Sequence, residues 1–148
     1  MQALIVDSSP EDRQALKKML QADGFVVHET ENGRQALMHS LTSPPDIIIS
    51  EIDLQFMDGF RLCREIKSKE VTCGVVFVFF TSKYSDIQDE DFAFRLGADR
   101  FFCKTGSRSA FLQEIRKAMD ETRPGRDSAK KRMLKDYEKY RSILESIE

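Results

Sequence analysis

Runs of β-branched and aromatic residues alternate along this chain with stretches whose apolar residues recur at helical spacing. Five runs have the character of strands, and they cover residues 3–6, 25–29, 46–50, 75–80 and 100–103. The third and fourth runs are almost wholly apolar, as expected for parallel strands that are covered on both faces. Amphipathic stretches follow the strands, at residues 10–22, from Asn32 onward, and at 59–67, 86–96 and 109–119. The alternation predicts an α/β fold, a doubly wound sheet of five parallel strands with five helices.

The pattern changes after residue 119. Pro124 and Gly125 interrupt it, which predicts a domain over residues 1–122 and a linker over residues 123–128. Residues 129–148 then predict a C-terminal helix with a stripe at coiled-coil spacing, namely Met133, Tyr137, Tyr140, Leu144 and Ile147. Because so short a helix depends on packing, we expect it to form a homodimer, to continue into a further segment, or to dock on the domain.

Composition and charge narrow the class of protein. The 148 residues include 41% hydrophobic and 32% charged positions with a net charge of -2, which is the balance of a single globular domain. The longest wholly apolar run, residues 75–80, is too short to span a membrane, and the N-terminus lacks the features of a secretory signal. A cytoplasmic location is therefore expected. The basic residues of the C-terminal segment are interleaved with acids, so no nucleic-acid partner is expected.

Polar residues follow four of the strands, at the edge where a doubly wound sheet places its binding crevice. They are Asp7 and Ser8 after the first strand, Glu51 after the third, Thr81 after the fourth and Lys104 after the fifth. The glycine-rich patterns that cradle the phosphates of nucleotides are absent from the sequence. The sequence therefore favours a site built from these polar residues, and nucleotide or flavin binding is kept as an alternative.

Four segments carry a resemblance to a known family: LIVDSSPEDR, PPDIIISEIDLQFMDGFRLCREIK, VVFVFFTSK and LGADRFFCKTG. Together they resemble the receiver domain of two-component response regulators, the CheY-like superfamily, over residues 1–122. The resemblance implies a flavodoxin-like fold, a signalling function rather than an enzymatic one, and histidine kinases or downstream signalling modules as partners. In that family an Asp accepts a phosphoryl group, an acidic pair and that Asp hold a divalent metal such as Mg²⁺, and Thr and Lys contact the phosphoryl oxygens.

The spacing of the MDG loop sets the register of this resemblance. Counting back eight residues from Gly59 places Glu51, rather than an Asp, at the phosphoacceptor position. The remaining equivalents are Asp7 and Ser8 for the acidic pair, Thr81 and Lys104 for the phosphoryl contacts, and Phe101 for the switch aromatic.

Three departures from the family pattern bear on the chemistry. Ser8 stands where the family has the second acid of the pair, so the pocket lacks one carboxylate ligand. Mg²⁺ binding is therefore expected to be weak or absent, and no cofactor is expected. The vestigial candidates for metal ligands are Asp7, Glu51 and Asp53. The Glu51 carboxylate lies one methylene farther out than that of Asp, and a misplacement of about 1 Å can cost on the order of 100-fold in rate. Phosphotransfer is therefore expected to be slow or absent. Thr105 replaces the Pro that usually follows the family's Lys.

We interpret the site as that of an atypical receiver, or pseudo-receiver, that works without phosphorylation. Glu51 would pair with Lys104 and hold the domain in one of the two conformations between which a receiver exchanges. The structural alternative is a decayed site in which this pair is only a strand-end ion pair. Two further alternatives are a conventional receiver that uses Asp53 and a flavodoxin-like small-ligand binder.

The ending LKDYEKYRSILESIE resembles the helical lead-in to PAS sensor domains. The resemblance implies that this chain is the N-terminal part of a larger sensor or regulator, with a PAS or kinase module in the same chain as its partner. The C-terminal stripe would then be a signalling linker in a parallel dimer. A stand-alone receiver with a docked terminal helix is the alternative.

Overall fold

Strands and helices alternate through a computed structural model of the chain, which describes residues 1–83 and 86–122. The strands are β1 (Gln2–Val6), β2 (Val26–Thr30), β3 (Ile47–Ser50), β4 (Val76–Thr81) and β5 (Arg100–Cys103). The helices are α1 (Pro10–Ala22), α2 (Gly33–Thr42), α3 (Gly59–Ser68), α4 (Ile87–Arg95) and α5 (Arg108–Thr122). The predicted linker, C-terminal helix and coiled-coil stripe lie outside the described residues.

A polar side chain caps the start of each of the first four helices. Ser9, Asn32, Asp58 and Asp86 each accept a hydrogen bond from the backbone N–H three residues further on. Each cap satisfies a donor that the helix itself leaves unpaired. The helix start predicted at Asn32 is confirmed, with a distance of 2.9 Å from the Gln35 nitrogen to the Asn32 side-chain oxygen.

All strands of the sheet are parallel, in the order β2-β1-β3-β4-β5. The chain leaves β1 for the edge strand β2 and then returns to the other side of β1, so the strand order reverses between β1 and β3. In open α/β sheets the functional crevice lies at such a reversal, outside the carboxyl ends of the strands. Asp7 and Glu51 directly follow these two strands, and the Glu51 N–H donates to the Val6 carbonyl at 2.9 Å. The α/β doubly wound, flavodoxin-like fold is confirmed.

Alternate strand residues supply two cores, one on each face of the sheet. One core packs Leu4, Ile48 and Phe77 against α2, α3 and α4. The other packs Ile5, Ile49 and the apolar faces of α1 and α5. Because both faces of β3 and β4 are covered, these strands carry the near-continuous apolar runs seen in the sequence.

The strand boundaries differ from the sequence-based expectation by one residue at the start of β1 and of β3 and at both ends of β2 and β4. Parallel pairing sets these ends: Val26 pairs with Gln2, Thr30 with Val6, and Thr81 with Cys103. β2 therefore begins one residue after Phe25, and β4 includes the first polar residue of its run. Apolar content alone does not show which polar residue still belongs to a hydrogen-bonded ladder.

Candidate functional site

The Lys104 ammonium lies among three carboxylates at the carboxyl edge of the sheet. Its nitrogen is 2.7 Å from Asp7 Oδ2, 2.7 Å from Asp12 Oδ2 and 3.0 Å from Glu51 Oε2. The side chains of Asp7, Glu51 and Lys104 are 7%, 8% and 14% exposed, whereas that of Asp12 is 48% exposed. We call these four residues the lysine cage. It includes the predicted Glu51–Lys104 pair.

The fold brings the four members of the cage together from distant parts of the chain. Asp7 and Glu51 follow the central strands β1 and β3, and Lys104 follows β5. Asp12 lies in the first turn of α1, whose start is held by the Ser9 cap. The cage therefore joins both halves of the sheet and one helix.

Backbone N–H groups donate to the Asp7 and Glu51 carboxylates, and a side chain fixes the Asp7 backbone. The Ser9 N–H donates to Asp7 Oδ1 at 3.0 Å, and the Ile52 N–H donates to Glu51 Oε1 at 2.7 Å. The Arg13 guanidinium donates to the Asp7 carbonyl oxygen at 2.7 Å. Asp7 and Glu51 each use one oxygen for the backbone and the other for Lys104. Both carboxylates are thus fixed in orientation as well as in place.

The carboxylates outweigh burial in their effect on Lys104. Burial alone would lower the pKa of its ammonium, but hydrogen bonds to Asp12, Asp7 and Glu51 raise it, and the net pKa lies above the ordinary 10.5. Lys104 therefore stays cationic at neutral pH. Three carboxylates and one ammonium leave the cage with a formal charge of -2 (-3 + 1).

Thr81 and the predicted switch aromatic flank the cage on β4 and β5. Thr81 is fully buried, and its Oγ1 accepts the Lys83 N–H at 3.4 Å. Phe101 packs with the α2–α3–α4 core, its ring centroid 6.0 Å from that of Phe79. Phe102 lies on the opposite face, with its ring 5.0 Å from that of Phe111 on α5. Adjacent β5 aromatics thus face different helix layers, as strand alternation predicts.

Two sequence-predicted site residues lie apart from the cage. Ser8 is exposed, so the second position of the predicted acidic pocket contributes no side chain to the cage. Asp53 Oδ2 pairs with Lys83 Nζ at 2.8 Å, and both side chains are more than half exposed. The Asp53 carboxylate thus binds a different lysine from the one that Asp7 and Glu51 contact. The peptide bond before Thr105 is trans.

The described residues do not fit the Mg²⁺ ion of the family's site. Between residues 1 and 122, apart from 84 and 85, no cluster of three His, Cys, Asp or Glu side chains is arranged to hold a metal ion. Asp7, Asp12 and Glu51 all point at the Lys104 ammonium, and a cation at the ~2.1 Å ligand distance of Mg²⁺ would compete with it.

Asp12 is the cage residue that sequence reasoning missed. A partial signal existed, because Ser9 and Asp12 have the spacing of a capping box, in which the acid normally accepts the N–H of the cap residue. Here the Ser9 N–H goes to Asp7 instead, and the Asp12 carboxylate is left for Lys104. The pairing joins residues 92 positions apart, so it depends on where α1 lies relative to β5.

The fold is that of a flavodoxin-like domain, and the lysine cage lies at the carboxyl edge of its sheet, where the strand order reverses between β1 and β3. The family model for the response regulator receiver domain matches residues 3–116, and the chain belongs to that family. The chemotaxis protein CheY of Bacillus subtilis (strain 168) is 30% identical over 118 residues, which are 79% of this chain and 96% of CheY. Receiver domains are modules of two-component signalling that interact with histidine kinases and other signalling proteins.

Two further relatives show receivers within larger proteins. The transcriptional regulatory protein BaeR of Escherichia coli O6:H1 (strain CFT073) is 29% identical over 124 residues, which are 84% of this chain but 50% of BaeR. The chain therefore spans half the length of that relative. The receiver domain of a signal transduction histidine kinase from Syntrophus aciditrophicus superposes with a TM-score of 0.75 at 28% identity, covering 82% of this chain and 92% of that one.

No helix among residues 1–83 and 86–122 is long and apolar enough to cross a membrane.

Proposed function

We propose that this receiver is a pseudo-receiver, a protein-interaction module of two-component signalling that is held in one conformation without phosphorylation. The observation that carries the proposal is the buried Glu51 carboxylate at the acceptor position, bound to Lys104 at 3.0 Å. In the family, this Lys meets an oxygen of the phosphorylated Asp. In this chain a permanent carboxylate oxygen meets the same ammonium.

The contacts of Glu51 support a fixed state rather than an exchanging one. Its two oxygens bind a backbone N–H and the Lys104 ammonium, so both are occupied within the domain. A conventional receiver changes conformation because the phosphoryl group adds contacts that favour one state. Here the equivalent contacts are part of the covalent chain and are always present.

The geometry disfavours the alternative acceptor. Asp53 lies outside the cage, is exposed, and pairs with Lys83. It has neither the lysine nor the backbone donor that Glu51 has. Burial likewise argues against a decayed site, because the Glu51 and Lys104 side chains are 8% and 14% exposed, unlike a surface ion pair of negligible worth.

Glu51→Gln tests the proposal, with Asp53→Asn as its matched control. Both changes remove one carboxylate charge from the same loop and keep the side chain's size. We expect Glu51→Gln to shift backbone amide NMR signals beyond the loop, at Thr81, Phe101 and α4, while Asp53→Asn shifts only its neighbours. Spectra that change equally little in the two variants would show that Glu51 holds no conformation.

We further propose that residues 129–148 link this receiver to a PAS or kinase module, or pair two copies of the chain. Support comes from the apolar stripe at coiled-coil spacing and from relatives such as BaeR that extend well beyond their receiver. Light scattering of the chain and of a version ending at Arg123 tests the pairing. A dimer that becomes a monomer on truncation supports it, and equal monomer masses contradict it.

A further inference from the structure

We propose that Asp12 is a positioning residue that takes over from the missing acid at position 8: it fixes Lys104 from α1 and ties that helix to the end of β5. This inference rests on the proposed function, because it adds a second part to the same conformational lock. Glu51 supplies the carboxylate at the acceptor position, and Asp12 determines where the lysine that meets it is held.

The hydrogen bonds at the start of α1 leave Asp12 available for this role. In a capping box the acid at Asp12's position would accept the N–H of Ser9. That N–H instead donates to Asp7 Oδ1, while the Ser9 hydroxyl caps the Asp12 N–H. The Asp12 carboxylate is thus freed from its local partner and lies 2.7 Å from Lys104 Nζ.

The number of N–H donors on the Lys104 ammonium shows how Asp12 adds to its contacts. A lysine ammonium has three N–H donors, and Asp7, Asp12 and Glu51 supply three acceptors within 3.0 Å. Asp7 and Glu51 come from the sheet, so they alone would leave one donor directed at solvent. Asp12 is the member that reaches in from a helix, and it closes the set.

The contact between Asp12 and Lys104 affects whether the lysine can bind a phosphoryl oxygen. A lysine that must meet an incoming phosphoryl oxygen needs a donor free to do so. With Asp12 in place, the ammonium donates to Asp7 and Asp12 and is also paired with Glu51. Restoring Asp at positions 8 and 51 therefore restores the acids of a phosphoacceptor site but not the freedom of its lysine.

The first test measures Lys104 directly in the full chain. Proton exchange between the Lys104 ammonium and water, followed by NMR, is compared for Asp12→Ala and Glu11→Ala. Glu11 is the matched control, because it is an acid in the same first turn whose carboxylate accepts from the Ser9 hydroxyl and not from Lys104. We expect Asp12→Ala to speed exchange about five-fold, equivalent to a partly exposed ion pair, and Glu11→Ala to leave it unchanged.

Asp12→Glu serves as the conservative variant. It keeps the charge on the same turn and can still reach the ammonium, so we expect exchange to stay close to that of the native chain. A variant that merely weakened α1 would change the melting temperature without this pattern. Equal exchange rates in Asp12→Ala and Glu11→Ala would overturn the inference.

The second test measures whether the contact between Asp12 and Lys104 slows phosphorylation at position 51. Ser8→Asp/Glu51→Asp is incubated with acetyl phosphate and Mg²⁺; the introduced carboxylate attacks phosphorus, and acetate leaves as its P–O bond breaks. Adding Asp12→Ala is expected to raise the phosphorylation rate about five-fold, and adding Glu11→Ala is expected to leave it unchanged. No gain from Asp12→Ala counts against the inference.

The two proposals fail in different ways. Phosphorylation of the native chain would contradict the phosphorylation-independent function, yet the exchange measurement would still judge Asp12. Unchanged Lys104 exchange in Asp12→Ala would remove Asp12 from the lock, yet Glu51 could still hold the conformation.

Discussion

Lys67, which is buried, and Lys104, which is partly buried, lie at opposite ends of the sheet and have different surroundings. Lys67 on α3 donates to Asp99 Oδ2 at 3.0 Å and to the Val75 carbonyl at 2.7 Å, and its side chain is 3% exposed. Asp99 also accepts the Phe77 N–H at 2.8 Å. Lys104, in contrast, binds three carboxylates beside solvent.

The difference lies in charge balance. One cation and one anion cancel at Lys67, and the neutral Val75 carbonyl accepts a second hydrogen bond from the ammonium. The lysine cage has a formal charge of -2 and an exposed member, Asp12. The balanced, buried pair fastens α3 to the starts of β4 and β5, whereas the lysine cage joins α1 to the carboxyl ends of β1, β3 and β5.

The largest effect is expected from breaking the balanced pair. Lys67→Met keeps the length of the side chain but leaves the Asp99 carboxylate without its cation and the Val75 carbonyl without its donor. The loss of one partner of a buried pair costs about 3–5 kcal/mol in the free energy of unfolding. Urea denaturation measures this change.

Lys69→Met is the control for that prediction. Lys69 follows α3 and pairs with Glu65 four residues earlier, and these two side chains are 35% and 26% exposed. An exposed pair of this kind is worth roughly 0.5 kcal/mol or less. Similar losses in the two variants would remove the distinction between a buried, balanced pair and a surface one.

A smaller effect, about 2 kcal/mol, is expected from Lys104→Met, because the cage's carboxylates remain but are partly solvated. The pKa of Lys104 is raised in the folded state, so its stabilisation is fully present below the ordinary pKa of 10.5 and is lost as pH rises through the folded pKa. The stability difference between native chain and variant should therefore be constant from neutral pH to about pH 9, as urea titrations at several pH values would show. A difference that vanished in that range would contradict the cage.

The sequence was sufficient to predict the architecture and three of the four residues of the lysine cage. Alternating apolar runs predicted every strand, and the position of Asp7, Glu51 and Lys104 at strand ends predicted that they would meet. Parallel strands bring their carboxyl ends to one edge, so this part follows from topology alone. Asp12 could not be placed in the same way, because helix periodicity does not say which strand end its first turn will contact.

Lys67 shows a signal that could have been used. It lies four residues after Cys63, on the buried face of α3 that also carries Ile66. A lysine at a core-facing position requires an acceptor. Its partner Asp99 could not be predicted from the sequence, because the contact depends on how α3 packs against the start of β5.

The central claim, that this receiver works without phosphorylation, is tested most directly by the intact mass of the purified chain after incubation with acetyl phosphate and Mg²⁺. Ser8→Asp/Glu51→Asp is the chemical control. The account predicts that the control gains a phosphoryl group and the native chain does not. A phosphoryl gain by the native chain would contradict the account, and fragmentation would then locate the modified residue.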